Sequence, residues 1–116
     1  MYMNQFELFS LIFFAVDAVW DKTKSEDLVQ FLSDTDPFLW LEVCSADPAN
    51  FIEFCKRYPQ KTIALEDSYK IACDYINFLP TEYESVYDAV PEAFYQTDEK
   101  TWLKTAKKYL SKPHKK

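Results

Sequence analysis

An all-α fold is what this chain predicts, and three features predict it. None of the 116 residues is glycine. Tight two-residue hairpins favour Gly at positions of positive φ, so a hairpin-rich β protein is disfavoured. Apolar residues recur at spacings of three and four, with no sustained alternation bounded by turn residues. Capping residues and prolines then cut the chain into segments of helix length. The expectation is a compact single domain over residues 1–116, ending in a basic tail from about residue 111. It should be a bundle of about six or seven short to medium helices, packed at varied angles because Pro- and Asp-marked connections are tight. Hydrophobic residues make up 48% of the chain and aromatics 18%. A net charge of -6 on so apolar a chain argues against disorder and for a core dominated by rings.

The elements follow in order. From Gln5 to Trp20, the residues Phe6, Phe9, Ile12, Phe13, Val16, Val19 and Trp20 share one broad arc of a helix. Glu7, Ser10 and Asp17 form a narrow polar stripe opposite, and Asn4 is placed to cap the first turn. Thr23 and Glu26 have capping-box spacing and predict a short helix through Leu28, Val29, Phe31 and Leu32.

Two stretches then read in register, DPFLWLEVC from Asp36 and DPANFIEFC from Asp47. Asp at the N-cap with Pro at the first helical position is a helix-start signal, so each copy predicts a short helix, near Pro37 and near Pro48. The second Pro forbids one continuous helix. The repeat raises a chemical question, whether Glu42–Cys44 and Glu53–Cys55 are activated thiol pairs. Residues two apart do not face each other on a helix. With Phe51 as the zero of the wheel, Cys55 falls about 40° away and Glu53 about 200° away. The repeat therefore reads as helix architecture written twice, with Cys44 and Cys55 buried beside Trp40, Phe51 and Tyr58 and the glutamates in solvent.

A long helix opens at Thr62 or Asp67 and ends before Pro80. One face carries Leu65, Tyr69, Ala72, Ile76 and Leu79, and an adjoining one Ile71, Tyr75 and Phe78, an arc wide enough for a central helix. Thr81 and Glu84 form another capping box, followed by Tyr83, Val86, Tyr87 and Val90 at helical spacing, with Pro91 as the stop. The last helix starts at Thr97 or Asp98, turns Trp102, Leu103, Ala106, Tyr109 and Leu110 to one side, and stops at Pro113.

Function is legible mainly by exclusion. Without glycine, no loop can bring backbone close around a phosphate in the manner of nucleotide-binding motifs. The single histidine, His114, lies in the tail, so His-activated nucleophiles and His-ligated zinc lack their usual partner. These features predict no enzyme, no metal and no cofactor. The apolar run LFSLIFFAVDAVW is too short and too interrupted for a membrane span and lacks a basic leader. With three cysteines that cannot all pair, the expectation is a cytoplasmic protein with reduced thiols.

Charge is uneven. Residues 1–99 carry all 19 acidic side chains against six basic ones, whereas residues 100–116 carry seven lysines and no acid. Lys100, Lys104, Lys107 and Lys108 should lie opposite Trp102 as a solvated face that complements the helix dipole. An acidic body predicts no nucleic-acid partner. The richest surface candidate is PTEYESVYDAVPEAFYQTDE, residues 80–99, with six acids and no base. Here the partner-binding residues are expected to be Glu82, Tyr83, Glu84, Tyr87, Asp88 and Glu92: tyrosines as anchors, acids as steering charges toward a basic protein. The functional expectation is a small acidic protein-binding module, in its sharpest form an inhibitor that neutralises a basic toxin or nuclease, as immunity proteins do. The alternatives are a self-associating adaptor, hence a homo-oligomer, and a small-ligand binder or carboxylate/thiol enzyme.

Overall fold

The computed structural model describes residues 1–36, 48–82 and 87–111. A two-residue strand β1 (Tyr2–Met3) leads into α1 (Gln5–Thr23); a 3-10 turn (Glu26–Leu28) runs into α2 (Val29–Thr35). After α3 (Pro48–Arg57) come β2 (Ile63–Ala64), α4 (Leu65–Glu82), α5 (Val90–Phe94) and α6 (Glu99–Leu110). The result is a compact all-α bundle with six α-helices among the described residues. No helix among them is long and apolar enough to cross a membrane.

The first helix is capped as expected and further. Asn4 Oδ1 accepts the Glu7 N–H at 2.7 Å, and Glu7 Oε1 accepts the Asn4 N–H at 2.8 Å. This reciprocal box satisfies an otherwise orphaned donor at the helix start. Glu7 is thus a capping residue as well as a polar one. Ser10 leaves the expected polar stripe altogether and is buried, with Tyr109 of α6 against it. The helix outlasts Trp20 by three residues and ends on Lys24 in the left-handed region, φ 54°, whose N–H donates to the Trp20 carbonyl at 2.6 Å. The Thr23–Glu26 capping box does not form: Thr23 closes α1, and its hydroxyl donates to the Val19 carbonyl at 3.0 Å.

The two strands pair antiparallel, Tyr2 with Ala64 and Met3 with Ile63, and the Leu65 N–H donates to the Met1 carbonyl at 2.9 Å. That bond satisfies a free donor at the start of α4. A pairing of two residues is too short to leave a periodic signal in sequence.

Proline explains two departures. Pro91 was expected to stop a helix; it lies in the first turn of α5, where its fixed φ suits the helix and its missing N–H is no loss. Pro80 was expected to follow the long helix; it lies within α4, close enough to the end that few backbone bonds are affected. The 81–84 capping box is likewise displaced, since Thr81 is inside α4 and Glu84 lies outside the described residues. In α6 the Asp98 cap is as expected, its Oδ1 accepting the Thr101 N–H at 2.8 Å.

α3 begins at Pro48 as expected, while the matching segment at Pro37 and Cys44 lies outside the described residues. Its buried face is rotated from the expected one. Phe54 and Tyr58 are buried with Asn50, whereas Phe51 and Cys55 are only half-buried. The Phe54 ring sets this orientation: it meets Phe9 at 5.2 Å and Tyr75 at 4.9 Å, both edge to face. These contacts hold α1, α3 and α4 together at the middle of the core.

Candidate partner-binding surface

The acidic segment divides sharply on folding. Tyr87 is 3% exposed. Its ring packs edge to face on Phe31 at 5.4 Å, and its hydroxyl donates to Asp34 Oδ2 at 2.7 Å. It is therefore a core residue tying the chain before α5 to α2, and its ring is not offered as an anchor. Asp88 and Glu92 are exposed. Tyr95 is 43% exposed, but its hydroxyl is turned back to Asn77 Oδ1 on α4, at 2.8 Å. Glu82 ends α4; its side chain, with Tyr83 and Glu84, is not among the parts described.

Glu92 borders a cleft of about 290 Å³ between the end of α1, the 3-10 turn and α5. Buried Val19, Leu28 and Ala93 form its floor. Exposed Asp27 and Glu92 contribute carboxylates from its two sides, and Gln96 adds an amide. Asp27 and Gln96 were not foreseen. Asp27 is 65 residues from Glu92 in the chain, and only the return of α5 onto α1 makes them walls of one cleft. The cleft can receive an apolar side-chain stem on its floor and a cation at its rim.

Other polar clusters serve architecture. The Tyr58 hydroxyl donates to Asp74 Oδ2, Arg57 Nε donates to the Tyr58 oxygen at 3.0 Å, and the Arg57 guanidinium lies 4.0 Å from the Phe78 ring centre. Burial, and then the bond to Asp74, raises the Tyr58 pKa. The cluster staples the end of α3 to α4. Cys73 lies near Tyr69 and Tyr95, whose hydroxyls donate to the Thr97 carbonyl at 3.2 Å and to Asn77 Oδ1 at 2.8 Å; burial raises the Cys73 pKa. Burial pushes Tyr69 up to about 12. Among the described residues, no three His, Cys, Asp or Glu side chains come together as a metal site.

Comparison with protein-family models, with curated proteins and with solved structures finds no match for this chain.

Proposed function

We propose that the protein is an acidic binding module that engages a basic protein partner, acting as an inhibitor of a cationic toxin or nuclease in the cytoplasm. The observation that carries this reading is the cleft between Asp27 and Glu92, with its buried apolar floor and two carboxylate walls. Asp88, exposed near it in sequence, and the net charge of -6 favour encounter with a cation. Such an arrangement guides association through charge and holds the partner through the apolar stem of a lysine or arginine. Tyr87 has no part in this contact; its contribution is to hold α5 in position.

Affinity capture from source cytosol at low and high salt tests it, with the Asp27→Lys/Glu92→Lys double variant alongside. The expected result is a basic partner held at low salt, released at high salt and not captured by the double variant. In purified form the double variant should associate about tenfold more slowly and lose most of the salt dependence. Capture that is insensitive to both salt and the double substitution would overturn the reading.

A further inference from the structure

A second cleft, of about 250 Å³, lies between α1 and α6. Leu11 and Trp102, each 2% exposed, form its floor. Ala15 and Ala18 line it from α1, and Thr97, Thr101 and Thr105 line it from the α6 side at successive turns. Small side chains facing one another on two helices leave a gap that larger ones would fill. The volume is below that of sites for drug-sized molecules, so the cleft suits a short chain.

Its two ends differ. Phe14 lines the cleft from α1 and meets Tyr109 of α6 edge to face at 5.6 Å. Lys22 lines it eight residues further along α1, a rise of roughly 12 Å. Gln96 borders both this cleft and the first, whose wall includes Thr23, so the start of α6 lies at the Lys22 end. Lys22 and the half-buried Thr97 therefore share that end.

The ion pairs among the described residues are Lys24 with Asp21 at 3.2 Å and Arg57 with Asp74 at 3.4 Å. Lys22 belongs to neither and is exposed. The Asp98 carboxylate is engaged in the α6 cap, accepting the Thr101 N–H at 2.8 Å. Lys104, exposed and three residues on from Thr101, adds a second cation to that side of α6. An apolar floor with an ammonium and a hydroxyl at one end matches the two parts of an alkyl carboxylate, the chain to the floor and the anion to the donors.

We propose that this cleft binds a short-chain monocarboxylate, its carboxylate at Lys22 and Thr97 and its alkyl chain along Ala18 and Ala15 toward Leu11 and Trp102. The ammonium selects the anion, and the floor selects an alkyl chain over a bare ion. This is independent of the basic-partner reading, which rests on Asp27 and Glu92 in the other cleft.

The test is a titration of the full ¹⁵N-labelled chain with sodium hexanoate at constant sodium concentration, following the backbone amide signals of Ala18 and Thr97. Sodium acetate, hexan-1-ol and hexylammonium chloride are the comparison probes. The expected result is a saturable shift with a dissociation constant in the low millimolar range, as suits so few atoms. Acetate should give no saturation, and the alcohol and the ammonium should each bind at least about fivefold more weakly than hexanoate. Lys22→Met keeps the apolar stem without the charge and should weaken hexanoate about fivefold. Ala18→Leu, at an exposed position, places a larger side chain in the cleft and should abolish the shift. Equal binding of hexan-1-ol or hexylammonium, no saturation by tens of millimolar hexanoate, or unchanged affinity in Lys22→Met would each overturn the proposal.

Discussion

Lys24 carries a conformation that glycine usually takes. It is the one non-glycine residue at positive φ among those described, and it ends the central helix. The left-handed conformation costs an ordinary residue about 1–2 kcal/mol. Lys24→Gly should therefore stabilise the protein by about 0.5–1 kcal/mol after loss of the exposed Asp21 pair, read as a higher urea midpoint with unchanged slope. Asp17 gives a pH-dependent outcome. Burial raises its folded-state pKa, so the native state holds the proton more tightly than the unfolded chain does. Stability is thus lost as pH rises from the ordinary carboxylate value through the raised one. Asp17→Asn should be more stable at neutral pH by about 0.5 kcal/mol, the gap closing as pH falls below the carboxylate range in paired thermal melts. Ser68 was invisible in the sequence, a lone hydroxyl on an apolar face. In the fold it is buried, donates to the Leu65 carbonyl at 2.7 Å, and accepts the Trp102 indole N–H at 2.9 Å. Its partner lies 34 residues away, and no local spacing points to it. Ser68→Ala strands that buried donor and should cost about 1–3 kcal/mol by denaturant unfolding.

At the scale of elements, legibility followed the local signals. The starts of α1, α3 and α6 were readable because Asn4, Pro48 and Asp98 act on their own neighbours. Pro91 was misread because proline both closes and opens helices, and only packing decides which side of it continues. The face of α3 was misjudged because the wheel weighs Phe51 and Phe54 alike, while Phe54 meets both Phe9 and Tyr75 and is fully buried and Phe51 is half-buried. The candidate surface was half legible: Glu92 stood out as part of an acidic run, but Asp27 joined it only through the α1–α5 contact. Tyr87 was read as an interface residue because its sequence cannot show that Asp34 and Phe31 come to meet it. Tyr87→Phe should cost about 1–3 kcal/mol of stability through the lost bond to the Asp34 carboxylate, with partner association unchanged. A change in affinity without a change in stability would return Tyr87 to the interface.

For the whole molecule, the order of the helices along the chain has a consequence for biosynthesis. α1 is the most apolar element, and its burial depends on α2, α3, α4 and α5, all of which follow it. The pairing of Tyr2 with Ala64 likewise waits for a residue 62 positions downstream. A ribosome that has made α1 therefore holds an uncovered strip of phenylalanine, leucine and isoleucine until α5 emerges, seconds later at ordinary elongation rates. Nascent chains arrested before α4 should recruit hydrophobic-binding chaperones and aggregate on release, whereas chains arrested well beyond α5 should resist protease. The final product hides its stickiest surface, but the growing chain cannot.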